Sequence, residues 1–235
     1  MTDHAQLASS CLVRWPEAAR MGRVIPKRQL AGRSAAPTAL RAALTEDVEQ
    51  IRWAYSLSPA LMGLGGTEAV PEFVVVEIDL RKDDLPADVL TLIDRAIPHV
   101  TVLELARDGV PGRESRIVAF PRERAASTAK VPMAAGPWEA GTGARRPLPA
   151  VADLELLYLA VLAPILPVMC PHGARVSQVA ATMREADHLD RQITQLESRM
   201  RREAQFNRRV ELHRELRSLQ AARTALEVVP GPDAR

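Results

Sequence analysis

Aromatic side chains are nearly missing from this chain: three Trp, two Tyr and three Phe stand among 235 residues. The core must therefore come from Leu, Val, Ile and Ala, and an extensive base-stacking platform of the kind single-strand binders use is not expected. Lysine is almost as scarce, occurring only at Lys27, Lys82 and Lys130, so arginine carries the positive charge. A GC-rich coding bias accounts for that choice more simply than phosphate binding does, since arginine is also a good helix former. The only cysteines, Cys11 and Cys170, are far apart and show no framework spacing. That usage fits a reduced, cytoplasmic protein.

Long apolar runs are absent as well. The most apolar stretch, Leu154 to Met169, carries Glu155 and is cut by Pro164 and Pro167, and it falls short of the roughly 20 residues a spanning helix needs. Met1 to Trp15 holds no apolar core of signal-peptide length, so neither a membrane anchor nor a secretory leader is expected. A net charge of +2 does not by itself imply a nucleic-acid partner.

Residues 1–36 mix Gly, Pro, Arg and Ser with few periodic apolar positions and read as an irregular lead-in. Leu40, Leu44, Val48, Ile51 and Tyr55 recur at three- and four-residue spacing, which predicts a helix ending before Pro59. Val74, Val76, Ile78 and Leu80 alternate with Phe73 and Val75, the pattern of a strand inside a sheet. A helix over Leu85 to Ala96, a strand over Val100 to Ala106, a turn at Gly109 to Gly112 and a strand over Arg116 to Phe120 follow. A weaker strand is expected near Lys130 to Met133. Ala152 to Ile165 is apolar nearly all round, as a helix packed between other elements would be.

From about Ala174 to Val229 there is neither Gly nor Pro. Leu189, Ile193, Leu196 and Met200 form one apolar stripe, and Leu212, Leu216, Leu219 and Leu226 a second that is out of phase with it. An antiparallel hairpin turning near Ala204 to Asn207 explains the slip. One continuous helix is the alternative, and it would place Arg214 and Arg217 on a buried seam at a desolvation cost. At the expected turn, Arg199, Arg201, Arg202, Arg208 and Arg209 surround a single acid, Glu203. Such a cluster either complements helix ends in solvent or contacts phosphate or an acidic partner.

Catalytic chemistry has thin support. Glu77 and Asp79 lie two apart on the best strand, so both face one side about 7 Å apart, as metal-binding carboxylates of a nuclease would. Yet Lys82 falls on the opposite face and no acid-x-Lys pair follows on the neighbouring strands, so solvated strand-end charges suffice. Cys170, His172 and His188 do not supply the four ligands of structural zinc. Ser9, Ser10 and Cys11 have only His4 nearby, which is no positioned nucleophile and base. Gly63, Gly65 and Gly66 connect helix to strand, the reverse of a phosphate-binding loop. No cofactor, metal or small-molecule substrate is indicated.

Five stretches together resemble the bacterial family catalogued as domain of unknown function 4391. They are Arg23-Val24-Ile25-Pro26-Lys27, Asp47 through Pro59, Leu92 through Pro98, Leu148-Pro149 with Asp153 through Tyr158, and Gln205 through Leu212. After Pro59 the chain departs, with Ala60-Leu61-Met62-Gly63 where more polar residues are expected. The resemblance implies a setting, not a reaction: relatives stand beside DNA helicases and DNA methyltransferases in restriction or phage-defence clusters. It also draws attention to Gln205 and Asn207 at the expected turn.

These readings predict an α+β protein. A small mixed α/β domain over 37–169, with a central sheet of three to four strands, precedes an antiparallel helical hairpin, a coiled-coil arm, over 174–229, and 230–235 form a disordered tail. The expected function is that of a non-enzymatic accessory subunit partnered by a helicase or DNA methyltransferase. The first alternative is a nucleic-acid contact through Arg199, Arg201, Arg202, Gln205, Asn207, Arg208 and Arg209. A divergent metal-dependent nuclease is the second.

Overall fold

A seven-stranded, mostly antiparallel sheet forms the middle layer of the molecule. Its strands are β1 (Arg20–Val24), β2 (Val48–Leu57), β3 (Phe73–Leu80), β4 (Val100–Asp108), β5 (Arg113–Ala119), β6 (Ala134–Ala135) and β7 (Glu139–Ala140). They lie in the order β1-β2-β3-β4-β5-β6, with β7 also on β5. Only β3 and β4 are parallel, Phe73 opposite Val100 and Glu77 opposite Glu104. The helices are α1 (Lys27–Gly32), α2 (Thr38–Glu46), α3 (Pro59–Met62), α4 (Ala87–Ala96), α5 (Leu154–Leu162), α6 (Val176–Arg202) and α7 (Phe206–Ala225). This computed structural model describes residues 10–32, 37–109, 112–122 and 131–227. His4, Ser9, Lys130 and the expected tail at 230–235 lie outside them.

The sheet is larger than the three to four strands expected. The main reason is β2, which replaces the second half of the helix predicted to run to Tyr55. Its buried residues Val48, Ile51, Ala54 and Leu57 recur every three positions, a helical spacing. The cause is irregular pairing with β3, where the register shifts between Val48 and Gln50 and again between Trp53 and Tyr55. A bulge inserts a residue and turns the following side chains to the other face. Val48, Ile51 and Trp53 accordingly join one core, and Tyr55 and Leu57 the other. The lead-in also differs from expectation: it contributes β1 and α1, and Leu12, Val13 and Trp15 are buried beneath the sheet. The weak strand expected at Lys130 to Met133 occurs one step later, as β6.

Period-two alternation in β3 divides the interior in two. Val74, Val76, Ile78 and Leu80 face a core closed by Leu30 of α1, Leu44 of α2, and Val89, Leu90 and Ile93 of α4. Phe73 and Val75 face a second core, with Leu157, Tyr158 and Val161 of α5 and Val176, Val179 and Met183 of α6. Each such aliphatic side chain contributes about 1.5–3 kcal/mol on burial.

Glu155 explains how α6 is joined to this body. Its Oε1 accepts the backbone N–H of Val176 at 2.9 Å, and its Oε2 accepts from the Thr67 hydroxyl at 2.9 Å and from Arg175 at 3.1 Å. A carboxylate is favoured there because the first amides of a helix lack intrahelical acceptors and carry positive partial charge. Farther along, Ala186 is the last α6 residue in the main cores. Leu196, Leu212 and Leu216 form a separate cluster between α6 and α7, with Ile193, Met200 and Leu219 against it. Arg223 of α7 pairs with Asp190 of α6 at 2.9 Å, and Met169 N–H donates to the Leu226 carbonyl at 2.8 Å.

Candidate nucleic-acid interface

The seven residues singled out for contact meet where α6 gives way to α7. Arg199, Arg201 and Arg202 occupy the last turn of α6, Gln205 precedes α7, and Asn207, Arg208 and Arg209 stand in its first turn. All seven are exposed. Among the described residues Arg208 pairs with Glu211 at 2.6 Å, whereas Arg199, Arg201, Arg202 and Arg209 have no ion-pair partner.

The two sides of this junction differ in electrostatic logic. Cations in the last turn of α6 complement its negative end. Arg208 and Arg209 instead stand at the positive end of α7, whose first turn holds no acid and whose Gln205 cap makes no side-chain hydrogen bond. Each of these two cations opposes the macrodipole by about 0.3–1 kcal/mol. Arg208 recovers an ion pair with Glu211, whereas Arg209 breaks this local rule without a local gain among the described residues, a mark of functional positions. Phe206, flanked by Gln205 and Asn207, is 77 % exposed at the head of α7. Its only signal in the sequence is being an aromatic in a chain that has very few.

The carboxylates of the sheet are arranged differently from a metal centre. Glu77 and Asp79 share the face of Phe73 and Val75, but they are not the solvated strand-end pair expected. Arg52 of β2 reaches Glu77 at 3.4 Å and Asp79 at 2.6 Å, Arg113 of β5 also pairs with Asp79, and Asp79 is buried. Glu104, beside Glu77, is buried too and accepts from Trp15 Nε1 at 3.0 Å and from Arg145. Both flanking strands thus present guanidinium groups to the acids, a closed set of mutual charge compensation. Trp15 and Arg145 are remote in sequence from Glu104, and no local pattern announces them.

Cys170 and His172 lie at the joint before α6, with burial pushing the Cys170 thiol up. Among the described residues no group of three or more His, Cys, Asp or Glu is placed to hold a metal ion, and no helix is long and apolar enough to cross a membrane. Three of the stretches that carry the family resemblance converge elsewhere. Arg23 to Pro26, Trp53 and Ala96 to Pro98 line a groove of about 190 Å³, and the Trp53 Nε1 atom is buried with no hydrogen-bond partner among the described residues.

The chain matches the family described as Domain of unknown function (DUF4391) over residues 13–222. No curated protein and no solved structure matches the chain.

Proposed function

Because the chain belongs to the DUF4391 family, whose description assigns no reaction, we propose a function from its own geometry. The protein is a non-enzymatic accessory subunit. Its α6 and α7 act as a helical hairpin arm, and the arginine tip of that arm contacts nucleic acid. One observation carries the reading: among the described residues Arg199, Arg201, Arg202 and Arg209 are exposed and have no ion-pair partner, and they gather with Arg208 at one helix junction, Arg208 and Arg209 standing at the positive end of α7, where cations are not favoured. Phosphodiesters supply the missing countercharge and release condensed counterions on binding. The helices give the tip reach, because 16 residues separate Ala186 from Arg202, roughly 25 Å of helix beyond the main core. The assembly served is proposed to contain a helicase or DNA methyltransferase, the setting that the family resemblance implies.

Replacing Arg201, Arg202, Arg208 and Arg209 together by Glu is the test. Retention on DNA at low salt is expected to be lost while the thermal midpoint of the fold is kept. Unchanged retention overturns the tip as a nucleic-acid contact. Recovery of the protein alone from its native host overturns the assembly.

A further inference from the structure

Among the described residues Phe206 stands apart from the other large apolar side chains, at 77 % exposure. It occupies the first position of α7, and since Cα–Cβ bonds of a helix tilt toward its N-terminus, a side chain there projects past the helix end. Its chain neighbours are amides, Gln205 and Asn207, both exposed. Beyond them stand Arg201 and Arg202 on one side and Arg208 and Arg209 on the other. The leucines of the helix pair turn inward: Leu196, Leu212 and Leu216 are buried. The exposed apolar surface at this end is therefore a single ring in a cationic, amide-bearing surround, not the contiguous patch a protein interface would use.

Resting on the nucleic-acid reading of the tip, we infer that Phe206 stacks on an unpaired nucleobase, so that the tip prefers single-stranded over duplex nucleic acid. A ring offers its face to any base, and stacking of this kind is tolerant of sequence. The arginines bind the phosphates on either side of the stacked nucleotide. Gln205 and Asn207 carry the donor and acceptor groups that meet a base edge once it is unpaired. In duplex DNA the faces of the bases are already stacked, leaving the ring nothing to cover, and only the arginine contribution remains.

The experiment measures fluorescence anisotropy of a labelled oligodeoxynucleotide of about 16 nucleotides, single-stranded or annealed to its complement. The titrant is the full chain at about 50 mM salt. Wild type is expected to bind the single strand more tightly than the duplex. Phe206→Ala weakens single-strand binding about tenfold, leaves duplex binding unchanged, and keeps the salt dependence set by the arginines. Phe206→Trp restores the preference and Phe206→Leu does not. Equal single-strand affinity of wild type and Phe206→Ala, with the Glu-substituted arginine variant still defective, overturns the stacking while the arginine tip stands. A wild-type chain that binds neither form overturns both. A Phe206→Ala variant whose oligomeric state changes while its nucleic-acid binding does not assigns the ring to protein contact and overturns the stacking.

Discussion

Glu155 accepts the backbone N–H of Val176, 2.9 Å from its Oε1, and so ties the start of the long helix α6 to the first turn of α5. The carboxylate is only 3 % exposed and satisfies the Thr67 hydroxyl and Arg175 as well. Glu155→Ala leaves the Val176 amide without an acceptor in a buried site, and the expected cost is about 2–4 kcal/mol. Glu155→Gln keeps an oxygen for that amide but sets an NH2 where Oε2 accepts from Thr67 and Arg175, so it loses those contacts and the charge at a smaller expected cost, about 1–2 kcal/mol. Urea denaturation of the two variants checks the order. A Gln variant as unstable as the Ala variant would place the charge and the Oε2 contacts to Thr67 and Arg175, and not the acceptor for Val176, at the centre of the joint.

Asp94 makes a pH prediction. Its carboxyl is buried in α4, where Oδ2 accepts from Arg122 Nε at 2.7 Å and Oδ1 accepts from the Thr101 hydroxyl. Burial raises its pKa despite the attraction of Arg122. The native state therefore holds this proton more tightly than the unfolded chain does. Stability from this group is fully present below the ordinary Asp value near 4 and is lost as pH rises through the folded value. Asp94→Asn removes the titration. Guanidinium midpoints of wild type and variant, measured from about pH 4 to 7, are expected to diverge, with wild type losing ground as pH rises. A constant difference rejects the linkage.

How much of this was legible follows from how local each determinant is. Val74, Val76 and Ile78 announce β3 because its alternation is unbroken, and the spacing of Val89, Leu92, Ile93 and Ala96 announces α4. The slip between the Met200 and Leu212 stripes falls where α6 ends at Arg202 and α7 begins at Phe206. By contrast, β2 hides behind two register shifts that give a strand a helical spacing. The neutralising partners of Glu77 and Asp79, the two carboxylates weighed as metal ligands, come from other strands, and those of Glu104 from loops, so all three prove to be internally paired. Exposure of Phe206 depends on which way a turn points, and no period in the sequence encodes that.

Asn207 separates helix stability from contact. It sits in the first turn of α7, which holds no acidic residue. Asn207→Asp adds a near-isosteric negative charge at the positive end of the helix, worth about 0.3–1 kcal/mol of stabilisation. The same charge repels phosphate and compensates the neighbouring arginines, so retention on nucleic acid is expected to fall as α7 grows more stable. Slower hydrogen exchange of the α7 amides reports the first effect, and low-salt binding reports the second. Asn207→Ala, which removes the amide without adding charge, is the control. It should leave the phosphate contribution intact and weaken only binding that uses a base edge. A Asn207→Asp variant that is both more stable and equally retentive shows that the first turn of α7 meets no phosphate, because an added carboxylate cannot approach a phosphodiester without cost.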